Sequence, residues 1–135
     1  MVIKLSKIIE KIKLRAKNNK KTIVLPEVMD RRVLEAADII LKEEIAHVIL
    51  VGKNEEILKN SEGLDLRLAT IIDPFCDSKT RELQEKLYEL RREKGMTMEE
   101  AYRLLTEDYM YYACMLVKLG YADGAVSGAC HSTSN

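Results

Sequence analysis

The stretch Ser127-Gly128-Ala129-Cys130-His131-Ser132-Thr133-Ser134-Asn135 gathers small residues and consecutive hydroxyls in one place. Small residues let backbone N–H groups approach a ligand closely, and Ser132, Thr133 and Ser134 add hydrogen-bond donors without bulk. Behind a strand and ahead of a helix, such a segment would cradle a phosphate. The pattern G-x-x-x-x-G-K-[ST] of a P-loop is absent, and a plain Ser/Thr-rich tail is the competing reading. Cys130 and His131 are adjacent, so on extended backbone they face opposite ways and make a poor thiolate–imidazole pair. His47, Cys76 and Cys114 are scattered without the spacing of zinc ligands, so neither a catalytic thiol nor a metal centre is expected.

A second group is cationic. Arg91 and Arg92 close the run Tyr88-Glu89-Leu90-Arg91-Arg92-Glu93-Lys94-Gly95. Cations at a helix C-terminus are favoured by its dipole, and that structural role is the simpler explanation. At the edge of a cleft, the same guanidinium could clamp a phosphate through two parallel hydrogen bonds. Glu27 and Asp73 could act as bases, but both sit where a carboxylate equally well caps a loop.

These residues need elements to position them, and hydrophobic periodicity supplies a list. Thr22–Leu25, ending at Pro26, reads as a buried strand, as do Val48–Val51 before Gly52 and Ala69–Ile72 before Asp73-Pro74. Asp30 is placed to cap a helix carrying Val33, Leu34, Ala37, Ile40 and Leu41, and Asn54 to cap a short one through Leu58. Leu83, Leu87 and Leu90 mark a long helix stopping near Gly95. Thr97 with Glu100 has the form of a capping box, and Tyr109–Leu119 a further helix with Gly120 at its C-cap. Gly124–Val126 completes a fourth short strand. Strands alternating with helices predict an α/β three-layer sandwich around a mostly parallel sheet of three or four strands. Ligands of such sheets bind at the carboxyl ends of the strands: Pro26-Glu27, Gly52-Lys53, Asp73-Pro74 and the segment from Ser127.

Composition narrows the function. Lys plus Arg number 22 and Asp plus Glu 22, and this neutrality argues against a dedicated nucleic-acid or anionic-membrane binder. Aromatics are 5% with no Trp, too few for base-stacking platforms. The opening twenty residues hold seven Lys/Arg against Glu10 alone, and Ile8, Ile9 and Ile12 form the apolar stripe of a basic amphipathic helix. Such a helix can lie on a membrane, but a docking stripe with a solvated face is the favoured reading. An odd number of cysteines and no secretory pattern lead to the expectation of a reducing, cytoplasmic setting without a membrane span.

Taken in order, several pieces resemble the phosphate acetyltransferase (phosphotransacetylase) family. They are Thr22-Ile23-Val24-Leu25-Pro26-Glu27, Asp30-Arg31-Arg32-Val33-Leu34-Glu35-Ala36-Ala37, Val48-Ile49-Leu50-Val51-Gly52 and Ile72-Asp73-Pro74. Tyr88-Glu89-Leu90-Arg91, Lys94-Gly95-Met96-Thr97, Ala122-Asp123-Gly124-Ala125-Val126-Ser127-Gly128 and His131-Ser132-Thr133 continue the series to the last residue. The resemblance implies the N-terminal portion, residues 1–135, of a two-domain isocitrate/isopropylmalate-dehydrogenase-like fold with its active site between the domains. It implies reversible acetyl transfer between coenzyme A and inorganic phosphate, with coenzyme A as substrate, no further cofactor or metal, and commonly a homodimer. Arg91 matches a family arginine implicated in substrate binding, and His131, Ser132, Thr133 and Ser134 match the start of the phosphate-side loop. No residue here matches the family's catalytic Asp or its Ser-Arg pair, which lie near the C-terminus of complete members. The isolated chain is therefore expected to be inactive, or to assemble with a complementing chain. Phosphate butyryltransferase and a non-catalytic partial domain are the alternatives.

Overall fold

The computed structural model describes residues 2–127, with side chains from residue 7 onward. Its first element is helix α1 (Val2–Asn18), joined by a short link to strand β1 (Thr22–Leu25). Then follow α2 (Arg31–Lys42), β2 (His47–Val51), α3 (Asn54–Asn60) and β3 (Thr70–Ile72). Three helices come next, α4 (Thr80–Arg91), α5 (Met98–Glu107) and α6 (Tyr109–Lys118), before β4 (Gly124–Ala125).

All strand pairings are parallel, in the order β3-β2-β1-β4. The register sets Val24 beside Ile49 and Leu25 beside Leu50, while Ile23 and Val24 meet Gly124 and Ala125. Side chains alternate across a strand, so neighbouring residues enter different cores. Leu25, Val48 and Leu50 pack with Leu34, Ala37 and Leu41 of α2 and Ile57 of α3. Val24, Ile49, Val51 and Ile72 pack with Leu83 and Leu87 of α4, Ala101 and Leu105 of α5, and Tyr112 and Leu116 of α6. The result is the expected three-layer sandwich.

The layering follows from handedness. From β1 the chain steps outward to β2 and β3, then crosses back over the sheet to β4 on the other side of β1. Parallel crossovers keep one hand, so reversing the direction of travel puts the connecting helices on the opposite face. Hence α2 and α3 share one face and α4 to α6 the other.

The helix ends follow local chemistry. Asp30 caps α2 by accepting from the Arg32 amide at 2.9 Å, and Thr97 caps α5 by accepting from the Glu100 amide at 3.1 Å. Asn54 differs from expectation: Lys53 holds the extended N-cap position, no side-chain cap bond forms, and Asn54 begins the helix itself. After α4 the chain tightens into a 3-10 turn, Arg92–Lys94, that ends at Gly95 with φ +91°. Beyond α6, Leu119 is the C-cap and Gly120 (φ +86°) follows it. Gly120 N donates to Val117 O at 3.1 Å and Tyr121 N to Leu116 O at 2.9 Å, the paired bonds of a Schellman stop.

Candidate functional site

Reversal of the strand order between β1 and β4 creates a crevice at their carboxyl ends, the position where open α/β sheets bind ligands. A hollow of about 260 Å³ lies there, lined by Leu25, Glu27, Val126 and Ser127 from the strand ends and by Arg32, Val33 and Ala36 from α2. Glu27 is only 1% exposed, an unusual position for a carboxylate, and its backbone carbonyl accepts from Asp30 N at 3.1 Å. Arg32 lies in the first turn of α2. The Arg32 guanidinium holds the Asp30 carboxylate, with Nη2 2.6 Å from Oδ2, and this contact keeps the Asp30 carboxyl below its ordinary pKa. Glu27, Arg32 and Ser127 are thus the polar residues in an otherwise apolar lining.

A second hollow of about 410 Å³ opens beside Pro26 and Met29, where Glu56 and residues 106–110 complete its wall. Tyr109 Oη donates to Glu56 Oε1 at 3.0 Å. Burial, then the Glu56 carboxylate, pushes the Tyr109 phenol up to about 12. Glu56, Glu107 and Asp108 line it without a cation, which suits it poorly to a phosphate.

Arg91 lies elsewhere. It is exposed in the last turn of α4 and lines a groove of about 340 Å³ formed with α6, where Lys118 is a second cation and Met110, Tyr111, Cys114 and Met115 form much of the wall. The crevice at the strand ends and the Arg91 groove share no lining residue. Among the sequence-selected residues, Glu27 and Ser127 are brought together. Asp73 instead stabilises its own turn, with Oδ1 accepting from Phe75 N at 3.0 Å. Arg92 is exposed in the 3-10 turn. His131, Ser132, Thr133 and Ser134, with Cys130, lie outside the described residues.

Sequence reasoning missed Arg32 and the Glu56–Tyr109 pair. Arg32 was within reach, since it stands two residues after a helix cap that follows a strand end. Glu56 and Tyr109 are 53 positions apart, and nothing local connects them. Among the described residues, no group of three His, Cys, Asp or Glu side chains converges to hold a metal ion. The Cys76 thiol is pushed up by its contact with Asp73, which keeps it protonated.

Fold and crevice together define a doubly wound α/β domain with its ligand position at the β1/β4 switch point. The family model described as "Phosphate acetyl/butaryl transferase" matches residues 7–135, and the chain belongs to this family. It is 50% identical over 128 residues to a phosphate acetyltransferase of Thermoanaerobacterium thermosaccharolyticum, covering 95% of this chain and 39% of that protein. A phosphate acetyltransferase of Acetivibrio thermocellus is 46% identical over 127 residues, covering 94% and 38% respectively. A crystal structure of a phosphotransacetylase from Streptococcus pyogenes superposes with TM-score 0.86 at 34% identity, and the EutD phosphotransacetylase from Staphylococcus aureus with 0.84 at 32%. Each of these two matches covers 96% of this chain and 39% of the other. The chain therefore spans about two-fifths of the length of the relatives it matches.

Proposed function

We propose that this chain is the N-terminal portion of a phosphate acetyltransferase, contributing one wall of a site for reversible acetyl transfer between acetyl-CoA and inorganic phosphate. The observation that carries the reading is agreement over nearly the whole chain, in sequence and in fold, with phosphotransacetylases. In that reaction the coenzyme A sulfur attacks the carbonyl carbon of acetyl phosphate, the carbon–oxygen bond to phosphate breaks, and the thiol proton passes to a base. Arg91 would bind an anionic group of the substrate, and the loop carrying His131, Ser132, Thr133 and Ser134 would face the phosphate. The base belongs to the remainder of the family's fold. A cytoplasmic homodimer or a complementing chain completes the proposal, and phosphate butyryltransferase activity is the neighbouring reading within the family.

The test is coenzyme A release from acetyl-CoA and phosphate by the purified chain, beside Arg91→Ala. Neither should turn over. Activity in the parent that disappears in the variant would mean that this chain carries its own base, and would overturn the assignment of that role to the remainder of the family's fold.

A further inference from the structure

The polar lining of the strand-end crevice depends on one short stretch of chain. Glu27 follows β1 and Arg32 stands in the first turn of α2, so the residues between them set where both lie. Bonds within this turn are local. Asp30 N donates to Glu27 O at 3.1 Å, and Arg32 Nε and Nη2 donate to the Asp30 carboxylate at 3.1 and 2.6 Å. Such bonds fix the shape of a turn but not its place on the body. Two anchors supply the place. Val28 is fully buried in the core beneath α2 and α3. On the surface, Arg31 reaches the end of α3: Nη1 donates to Asn60 O at 2.9 Å and Nη2 to Glu62 O at 2.8 Å, across 29 and 31 residues of chain. The Asn60 amide returns the contact, with Nδ2 3.4 Å from Val28 O and 3.5 Å from Met29 O.

Carbonyls at a helix C-terminus lack partners within the helix, and the planar fork of a guanidinium can serve two of them at once. One charged side chain thereby ties the start of α2 to the end of α3. We propose that Arg31 is a positioning residue: its clamp on α3 holds the Glu27–Arg32 turn at the crevice and so sets how well the crevice binds an anionic substrate. The consequence for turnover rests on the function proposed above, while the clamp rests on geometry. Arg31 itself is occupied by two backbone carbonyls, so it acts through the turn. Without it Val28 stays buried and the Asp30–Arg32 pair can still form, so the domain keeps its fold while the turn gains freedom. A loosened cation weakens binding of the ground state and the transition state alike, which raises KM and spares kcat.

The first measurement uses the 135-residue chain. In Arg31→Ala, amide exchange at Asp30, Arg32 and Val33 should quicken about tenfold while amides of β2 keep their rates. The Arg32 Nε–H signal in proton–nitrogen NMR should exchange faster with water as well. Arg31→Lys, whose ammonium lacks the fork, should fall between parent and Arg31→Ala. Arg81→Ala, an exposed substitution on the opposite face of the sheet, is the control and should match the parent. Unchanged exchange at the three amides would show the turn held without Arg31. A uniform rise that includes β2 would make Arg31 a contributor to global stability and nothing more. Either result overturns the inference.

The second measurement fuses the chain to the part of the T. thermosaccharolyticum enzyme that follows its matched region and follows acetyl transfer. Arg31→Ala should raise KM for acetyl-CoA or phosphate about fivefold with kcat changed by less than about twofold, and Arg31→Lys should restore part of the loss. Parental kinetics, or a fall in kcat at constant KM, overturns the inference. A parent fusion without turnover counts against the proposed function instead, and the exchange and Nε–H signals then decide the clamp by themselves.

Discussion

Asp123 and Thr22 are bound to each other twice. Thr22 N donates to Asp123 Oδ2 at 2.8 Å, and Asp123 N donates to Thr22 O, also at 2.8 Å. The pair stands where β4 first meets β1, two strands that share only the Ile23–Gly124 and Val24–Ala125 positions. A ladder this short depends on its ends. The second end is Val126 N, which donates to Val24 O at 3.0 Å next to the crevice. Asp123 thus sets the register that carries Ser127 to the mouth beside Glu27.

Replacing Asp123 with Ala should cost about 1 kcal/mol, the net worth of one such hydrogen bond. It should also speed hydrogen exchange at the Val126 amide, while amides in β2 are unchanged. Urea melts and exchange mass spectrometry check both. Unaltered protection at Val126 would show that β4 is held without the carboxylate.

Gly52 closes β2 against the turn after β1. A Cβ at Gly52 would run into Val28 Cγ2 well inside van der Waals contact, and Val28 is fully buried, so it has little room to yield. Gly52→Ala should destabilise by about 1–3 kcal/mol through overpacking. In a Val28→Ala background that cost should fall by more than half, because the clashing methyl is gone. A double-mutant cycle measured by denaturant unfolding decides the matter, and additive effects would refute the steric account.

Tyr112 gives a pH dependence. Thr80 Oγ1 donates to Pro74 O at 2.7 Å, which leaves it to accept from Tyr112 Oη at 2.9 Å in a fully buried setting. Burial pushes the Tyr112 phenol up to about 12, above its ordinary value of 10. Between these values the unfolded state loses the proton first, so stability falls as pH rises from about 10 to about 12. Tyr112→Phe should cost about 1 kcal/mol at neutral pH and flatten this alkaline decline, though not wholly, since Tyr109 is raised in the same direction. Thr80→Val should cost more, about 1–3 kcal/mol, because it strands both the Pro74 carbonyl and the phenol. Melting temperatures followed from pH 7 to 11 give the test.

By itself, the sequence determined the elements. Val48-Ile49-Leu50-Val51 is legible as a buried strand and the 83, 87, 90 spacing as a helix, because periodicity and propensity act over a few residues. Gly95 and Gly120 mark stops because the backbone there needs positive φ, which glycine adopts freely. The family resemblance was legible for a similar reason, as an ordered series of short local motifs. Even locally there was a limit: Lys53 rather than Asn54 occupies the cap of α3, since where a helix starts is decided by backbone direction as well as by side-chain capping ability.

Only the tertiary structure decided the order β3-β2-β1-β4, since strand pairing joins residues far apart in the chain and several arrangements satisfy the same pattern. That order made the crevice, setting Glu27, Arg32 and Ser127 around one hollow and leaving Arg91 in another. It also decided which apolar residues found partners. Leu83 and Leu87 of α4 are buried whereas Ile8, Ile9 and Ile12 of α1 are not, although both sets have helical spacing. Amphipathic periodicity states that a face should be covered, and long-range packing determines what covers it.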